Sequence, residues 1–167
     1  VWLSAQRAPN NLAIVDDLSD RALTYQELIE EIDVVAAGLK DRGVKSGMRI
    51  ATVLPSLFDH AITLLALQRL AAIPALINFR LKPEEVGELI KLGEIEGAII
   101  LPDKYLAKIV IKNLGNSDRV LCIGESIGLA TNYADCRGDS LSLGTIPKPK
   151  PEDIAFIFYT SGTTGLP

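Results

Sequence analysis

The residues best suited to chemistry stand together at Tyr159-Thr160-Ser161-Gly162-Thr163-Thr164-Gly165-Leu166-Pro167. Glycines let a backbone turn tightly and bring its N–H groups up to an anion, while Thr and Ser hydroxyls add rotatable donors. Small side chains leave room for a bulky ligand. The chemistry this suits is the cradling of phosphate. Composition alone would favour a flexible Ser/Thr/Gly tail, but the stretch in front argues for a loop. Asp153-Ile154-Ala155-Phe156-Ile157-Phe158-Tyr159 is apolar and rich in β-branched and aromatic residues, which predicts a buried strand. No Gly-Lys-Ser/Thr follows the glycines, so this is not a Walker loop.

Other reactive side chains read as structural. His60 is the single histidine, on an apolar helix, and no Ser or Cys constellation can be built around it. Lys104, Lys108 and Lys112 recur every fourth position, which describes one solvated helix face. The adjacent acids Asp16-Asp17 and Glu30-Glu31 form neither a metal site nor an acid/base dyad, and Arg137 and Asp139 sit in a loop without a signature. The two cysteines, Cys122 in an expected strand and Cys136 in an expected polar loop, read as free thiols of a reducing compartment. No metal site is expected.

The elements that must position the loop alternate. A short helix over Val1–Arg7 leads to strands at Leu12–Asp16 and Arg21–Leu23. Thr24 and Glu27 have the spacing of a capping box, and Leu28, Ile29, Ile32, Val35, Ala36 and Leu39 then share one helical face up to a stop at Gly43. Strands are expected at Arg49–Leu54, Ile73–Ile77, Glu96–Leu101 and Arg119–Ile123. Helices are expected from Pro55 or Ser56 through Leu70, over Glu84–Leu92 opened by Pro83, and over Asp103–Asn113. Gly124–Lys150 reads as loop, closing on an extended Pro/Lys linker at 147–151. The alternation predicts an α/β fold with a largely parallel sheet.

Bulk properties set the outer bounds. A chain of 167 residues, 48% hydrophobic and 23% charged, is long enough for one domain with its own core. A net charge of −4 and a pI near 5.0 offer no footprint for nucleic acid and no cationic face for an anionic membrane. The apolar region 61–77 is interrupted by Gln68, Arg69 and Pro74, which argues against a transmembrane segment. Val1–Arg7 has no basic start followed by an apolar run, so no signal peptide is expected, and cytoplasm is the default location. The chain starts at Val1 rather than Met and stops within its loop motif, which predicts a piece of a longer protein.

Pro151-Glu152-Asp153-Ile154-Ala155 followed by Tyr159 through Pro167 resembles the phosphate-loop signature of the adenylate-forming superfamily. That group holds acyl-CoA synthetases, aryl-CoA ligases, firefly-type luciferases and peptide-synthetase adenylation domains. Leu23-Thr24-Tyr25-Gln26-Glu27-Leu28 is similar to an early motif of the same group, with a capping role. Leu67 through Asn78 resembles its helix-to-strand stretch, except that Ala71 stands where the family usually has Gly. Asn78-Phe79-Arg80-Leu81 with Pro83-Glu84-Glu85 looks more like acyl-CoA synthetases than peptide-synthetase domains.

The resemblance implies that residues 1–167 form the N-terminal portion of an AMP-binding domain. It implies ATP, Mg2+ and CoA as reaction partners of a small carboxylic acid, with Thr160, Ser161, Gly162, Thr163, Thr164 and Gly165 holding the ATP phosphates. In the family the adenine and acyl pockets, a magnesium-binding acid and a catalytic lysine lie downstream of such a loop, so no catalytic residue is expected here and the isolated piece is expected to be inactive. A peroxisomal address, were there one, would sit at a C-terminus beyond Pro167. Other readings stay open: a peptide-synthetase-type domain that loads a carrier protein, a non-catalytic nucleotide-binding module, a degenerate inactive homologue, and luciferase-type chemistry. The identity of the acid and the oligomeric state are not readable.

Overall fold

The computed structural model describes residues 1–17, 19–56, 58–144 and 152–159. Helix α1 (Trp2–Arg7) precedes a hairpin of β1 (Leu12–Asp16) and β2 (Arg21–Thr24), paired antiparallel from Leu12↔Thr24 to Asp16↔Arg21. Then α2 (Tyr25–Asp41), β3 (Arg49–Val53), α3 (Phe58–Arg69), β4 (Ile73–Leu76), α4 (Pro83–Leu92), β5 (Gly97–Ile100), α5 (Lys104–Leu114) and β6 (Val120–Cys122) alternate as the sequence predicts. Short strands β7 (Thr131–Asn132) and β8 (Ile157–Phe158) complete the sheet among the described residues.

The ends of the helices show why they begin and stop there. Thr24 Oγ1 accepts the Glu27 N–H at 3.3 Å while Glu27 Oε2 accepts the Thr24 N–H at 2.8 Å, so the capping box opens α2. At its other end Val44 N–H reaches the Leu39 carbonyl (3.0 Å) and Gly43 N–H the Lys40 carbonyl (2.8 Å), with Gly43 at φ 82°. That is a Schellman stop with glycine in the left-handed position. Helix α3 stops by the same pair of bonds, Ala72 to Leu67 and Ala71 to Gln68, but the left-handed residue is Ala71 at φ 53°.

The six strands run parallel in the order β7-β6-β5-β3-β4-β8. Side chains alternate across a strand, and each face has its own core. Ile50, Ile99 and Leu121 pack under α2 and α3 with Ile32, Leu39, Ile62 and Leu67, while Ala51, Val53, Ala98, Ile100 and Val120 pack under α4 and α5 with Leu89, Ile90 and Val110. Helix α2 also meets the segment after β7 backbone to backbone. Gly138 N–H donates to the Val34 carbonyl at 3.0 Å, and a Cβ on Gly38 would overlap the Cys136 carbonyl.

Three sequence expectations need correcting. The strand expected over Asp153–Tyr159 is paired only at Ile157 and Phe158, and Ile154 and Phe158 stand 58% and 67% exposed. Among the described residues β8 has a ladder partner on one side only, and they do not enclose these apolar side chains. Gly124–Gly144 is not plain loop: β7 and two 3-10 turns, Tyr133–Asp135 and Ser140–Leu143, lie in it. Cys136, expected in a polar loop, is buried against the α2 face of the sheet, whereas Cys122 is buried on the α4 face. The sheet therefore separates the two thiols, and burial pushes both up to about 11. The linker 147–151 lies outside the described residues. No described helix is long and apolar enough to cross a membrane.

Candidate functional site

In an open parallel sheet, ligands collect outside the carboxyl ends of the strands, where successive crossovers diverge. Here β3 is flanked by β4 on one side and β5 on the other, so the crossovers leaving β3 and β5 part at that point. The same edge of the sheet carries the turns after β3 (Leu54–Ser56), β4 (Ile77–Lys82) and β5 (Leu101–Asp103), and the residue after β8, Tyr159.

At the β3 position, His60 from α3 is bound on both ring nitrogens. Its Nδ1 lies 3.0 Å from the Pro55 carbonyl and its Nε2 3.2 Å from Thr52 Oγ1. A carbonyl only accepts, so Nδ1 carries the proton and Nε2 accepts from the threonine hydroxyl. Burial of the ring holds its pKa below the usual 6.5, against the opposing pull of the Pro55 carbonyl. No nitrogen is left for a ligand, in keeping with the structural reading of His60. Helix α3 is further tied by Arg21 to Asp59 at 3.0 Å and by Arg69 to Asp33 at 2.8 Å, and Arg137 grips Glu31 on α2 at 2.6 Å.

The turn after β4 is built on Asn78, whose Oδ1 accepts the Arg80 N–H at 3.0 Å and whose carbonyl accepts from Leu81 at 3.1 Å. Arg80 is exposed, its guanidinium 5.5 Å from the Phe79 ring centre. Because β4 pairs with β8 at Ala75↔Ile157 and Leu76↔Phe158, this turn leaves the sheet at the same end as Tyr159.

The predicted phosphate-binding residues Thr160, Ser161, Gly162, Thr163, Thr164 and Gly165 lie outside the described residues. Their approach is described. Ile157 and Tyr159 turn toward α4 and pack on that core, while the rings of Phe156 and Phe158 stand 5.8 Å apart on the other side. Sequence reasoning missed the seat of Tyr159: its hydroxyl lies 3.5 Å from the Leu89 carbonyl, against Gly93 at the end of α4. No local pattern links residues so far apart in the chain.

Elsewhere, a surface groove of about 350 Å3 between α1 and α2 is lined by Trp2, Pro9, Ile29 and Glu30 among others. Glu30 is the single charged residue in that lining, which does not suit a polyphosphate. Among the described residues no cluster of His, Cys, Asp and Glu could hold a metal ion.

Comparison with known proteins agrees with this architecture. A family model described as AMP-binding enzyme matches residues 1–167. A 4-chlorobenzoate–CoA ligase of Arthrobacter sp is 39% identical over 166 residues, covering 98% of this chain and 30% of that protein. An acetyl-coenzyme A synthetase of Gamma-proteobacterium EBAC31A08 is 30% identical over 183 residues, covering 95% of this chain and 28% of that one. The chain thus spans under a third of the length of these curated relatives. In fold it is similar to apo MbtA of Mycobacterium smegmatis, with a TM-score of 0.83 at 23% identity over 99% of this chain and 31% of that one.

Proposed function

The chain belongs to the AMP-binding enzyme family, and from that premise we propose that its protein activates a carboxylic acid with ATP and passes the acyl group to the thiol of CoA. In the first step a carboxylate oxygen attacks the α-phosphorus of magnesium-bound ATP. The bond to the β-phosphate breaks, giving an acyl adenylate and pyrophosphate. In the second, the CoA sulfur attacks the acyl carbon, the thiol proton is lost, and AMP departs as a thioester forms.

This chain's part is the leaving group. Backbone N–H groups and the hydroxyls of Thr160, Ser161, Thr163 and Thr164 would meet the charge growing on pyrophosphate, with Gly162 and Gly165 permitting close approach. The observation that carries the reading is the sequence run Thr160–Gly165, which follows Tyr159 and β8 in the chain, while β8 belongs to a parallel sheet of the kind that takes ligands outside its carboxyl ends. The identity to a CoA ligase favours CoA over a carrier protein as acceptor. Mg2+ would accompany ATP as part of the substrate.

Gly162→Val tests the reading, because it adds bulk where the backbone must reach the phosphates. Removing one preorganised donor typically costs about 10²–10³ in rate. Carboxylate-dependent ATP–pyrophosphate exchange should fall by that order while the protein keeps its melting temperature. Unchanged exchange in a folded variant would contradict the assignment.

A further inference from the structure

Gly93 stands where its backbone does not require glycine. It closes α4 at φ −82°, ψ −1°, a conformation open to any residue, whereas the next residue, Glu94, takes the left-handed φ of 49°. A glycine selected for the helix stop would sit at 94. What position 93 lacks is a side chain, and the space of its missing Cβ is filled by the hydroxyl of Tyr159. The corner around it is fastened: Arg49 donates to the Gly93 carbonyl at 2.9 Å and pairs with Glu94 at 3.0 Å. Tyr159 rests there half-buried on the α4 core, with its hydroxyl 3.5 Å from the Leu89 carbonyl.

The pairing of β8 with β4 ends at Leu76↔Phe158, so this seat is the last described tie before Thr160. We propose that Tyr159 is a positioning residue: its ring, seated in the space left by Gly93, fixes where the phosphate-binding residues leave the sheet. The proposal rests on the reading of Thr160–Gly165 as the ATP phosphate site. A peptide unit extends about 3.3–3.6 Å per residue, so a displaced Tyr159 carries Thr160 and Ser161 with it. Misplacing a reacting group by about 1 Å can cost around 10²-fold in rate.

The test is a cycle of Gly93→Ala, Tyr159→Phe and the double variant, with Tyr159→Ala beside them, all in the full protein. Each is assayed for the ATP dependence of pyrophosphate exchange and for melting temperature. Gly93→Ala should lower kcat/KM for ATP by about 10–100-fold, with Tyr159→Ala similar. Tyr159→Phe keeps the ring and should stay within about threefold of the original. The double variant should recover toward the Tyr159→Phe level, because deleting the hydroxyl removes the severe overlap and leaves the new methyl only the close contacts with the Leu89 carbonyl at 3.1 Å and the flexible Ile95 Cδ1 at 3.2 Å. A merely structural role would lower the folded fraction and leave KM for ATP unmoved. Additive losses in an active, folded series, or a Tyr159→Ala protein with unaltered KM and kcat, would overturn the proposal alone. If the unsubstituted protein shows no exchange, the ATP reading falls, and the positioning role with it.

Discussion

Gly38→Ala separates tertiary contact from helix propensity, because the two predict opposite signs. Gly38 lies within α2, where alanine is favoured over glycine by about 1 kcal/mol. A Cβ there, however, would overlap the Cys136 carbonyl and lie 2.7 Å from the Arg137 nitrogen, well inside the 3.5–4.0 Å of ordinary carbon contact. These are backbone atoms, so no rotamer change relieves the overlap. Helix α2 and the segment around Cys136 must part, which stretches the 3.0 Å bond from Gly138 to Val34 and loosens the buried Cys136. Overpacking of this kind costs about 1–3 kcal/mol, and an impaired hydrogen bond about 1 kcal/mol. Subtracting the propensity gain leaves a net loss of about 1–3 kcal/mol. Urea unfolding followed by circular dichroism reads it as a lower midpoint with an unchanged slope. A midpoint that stays put or rises would mean that α2 and residues 136–138 do not touch as described.

Ala71→Gly should act in the opposite sense. The left-handed φ of 53° costs a non-glycine residue about 1–2 kcal/mol, against about 0.5–1 kcal/mol for glycine's extra chain entropy, so stability should rise by roughly 0.5–1 kcal/mol and the urea midpoint with it. A destabilised variant would refute that geometry. The two thiols, buried and pushed up to about 11, should react with Ellman's reagent only after unfolding, and prompt labelling of the native protein would disagree with their burial. His60 gives a pH dependence. With its pKa held below the ordinary 6.5, the unfolded chain binds the proton more readily, so His60's contribution is complete above about 6.5 and is lost as pH falls toward the folded value. His60→Gln should therefore lose less stability than the original between pH 7.5 and 5.5, and parallel curves would remove the argument.

Much of the fold is legible because its signals are local. Thr24 and Glu27 mark the start of α2 and Gly43 its end through bonds spanning a single helical turn, and Pro83 marks the first residue of α4 through its fixed φ. The strand order is not local. Nothing near Ile157 states that it pairs with Ala75, and β8 is shorter than its apolar run suggests because a ladder forms only where a neighbour runs alongside. Ile127, Tyr133, Cys136 and Leu143 are buried without a helical or strand period, from a segment of turns that covers the sheet. The site divides in the same way. The residue types of Thr160–Gly165 are readable from sequence, whereas the seat of Tyr159 on Gly93 depends on a contact between distant segments.

The most direct test of carboxylate activation is isotope exchange between labelled pyrophosphate and ATP, run on the purified full-length protein across a panel of aromatic and aliphatic acids. The account predicts label in ATP only when a suitable acid is present, because pyrophosphate can return only through an acyl adenylate. ATP binding with no acid-dependent exchange across such a panel would contradict it, and would leave a nucleotide-binding module in place of a ligase.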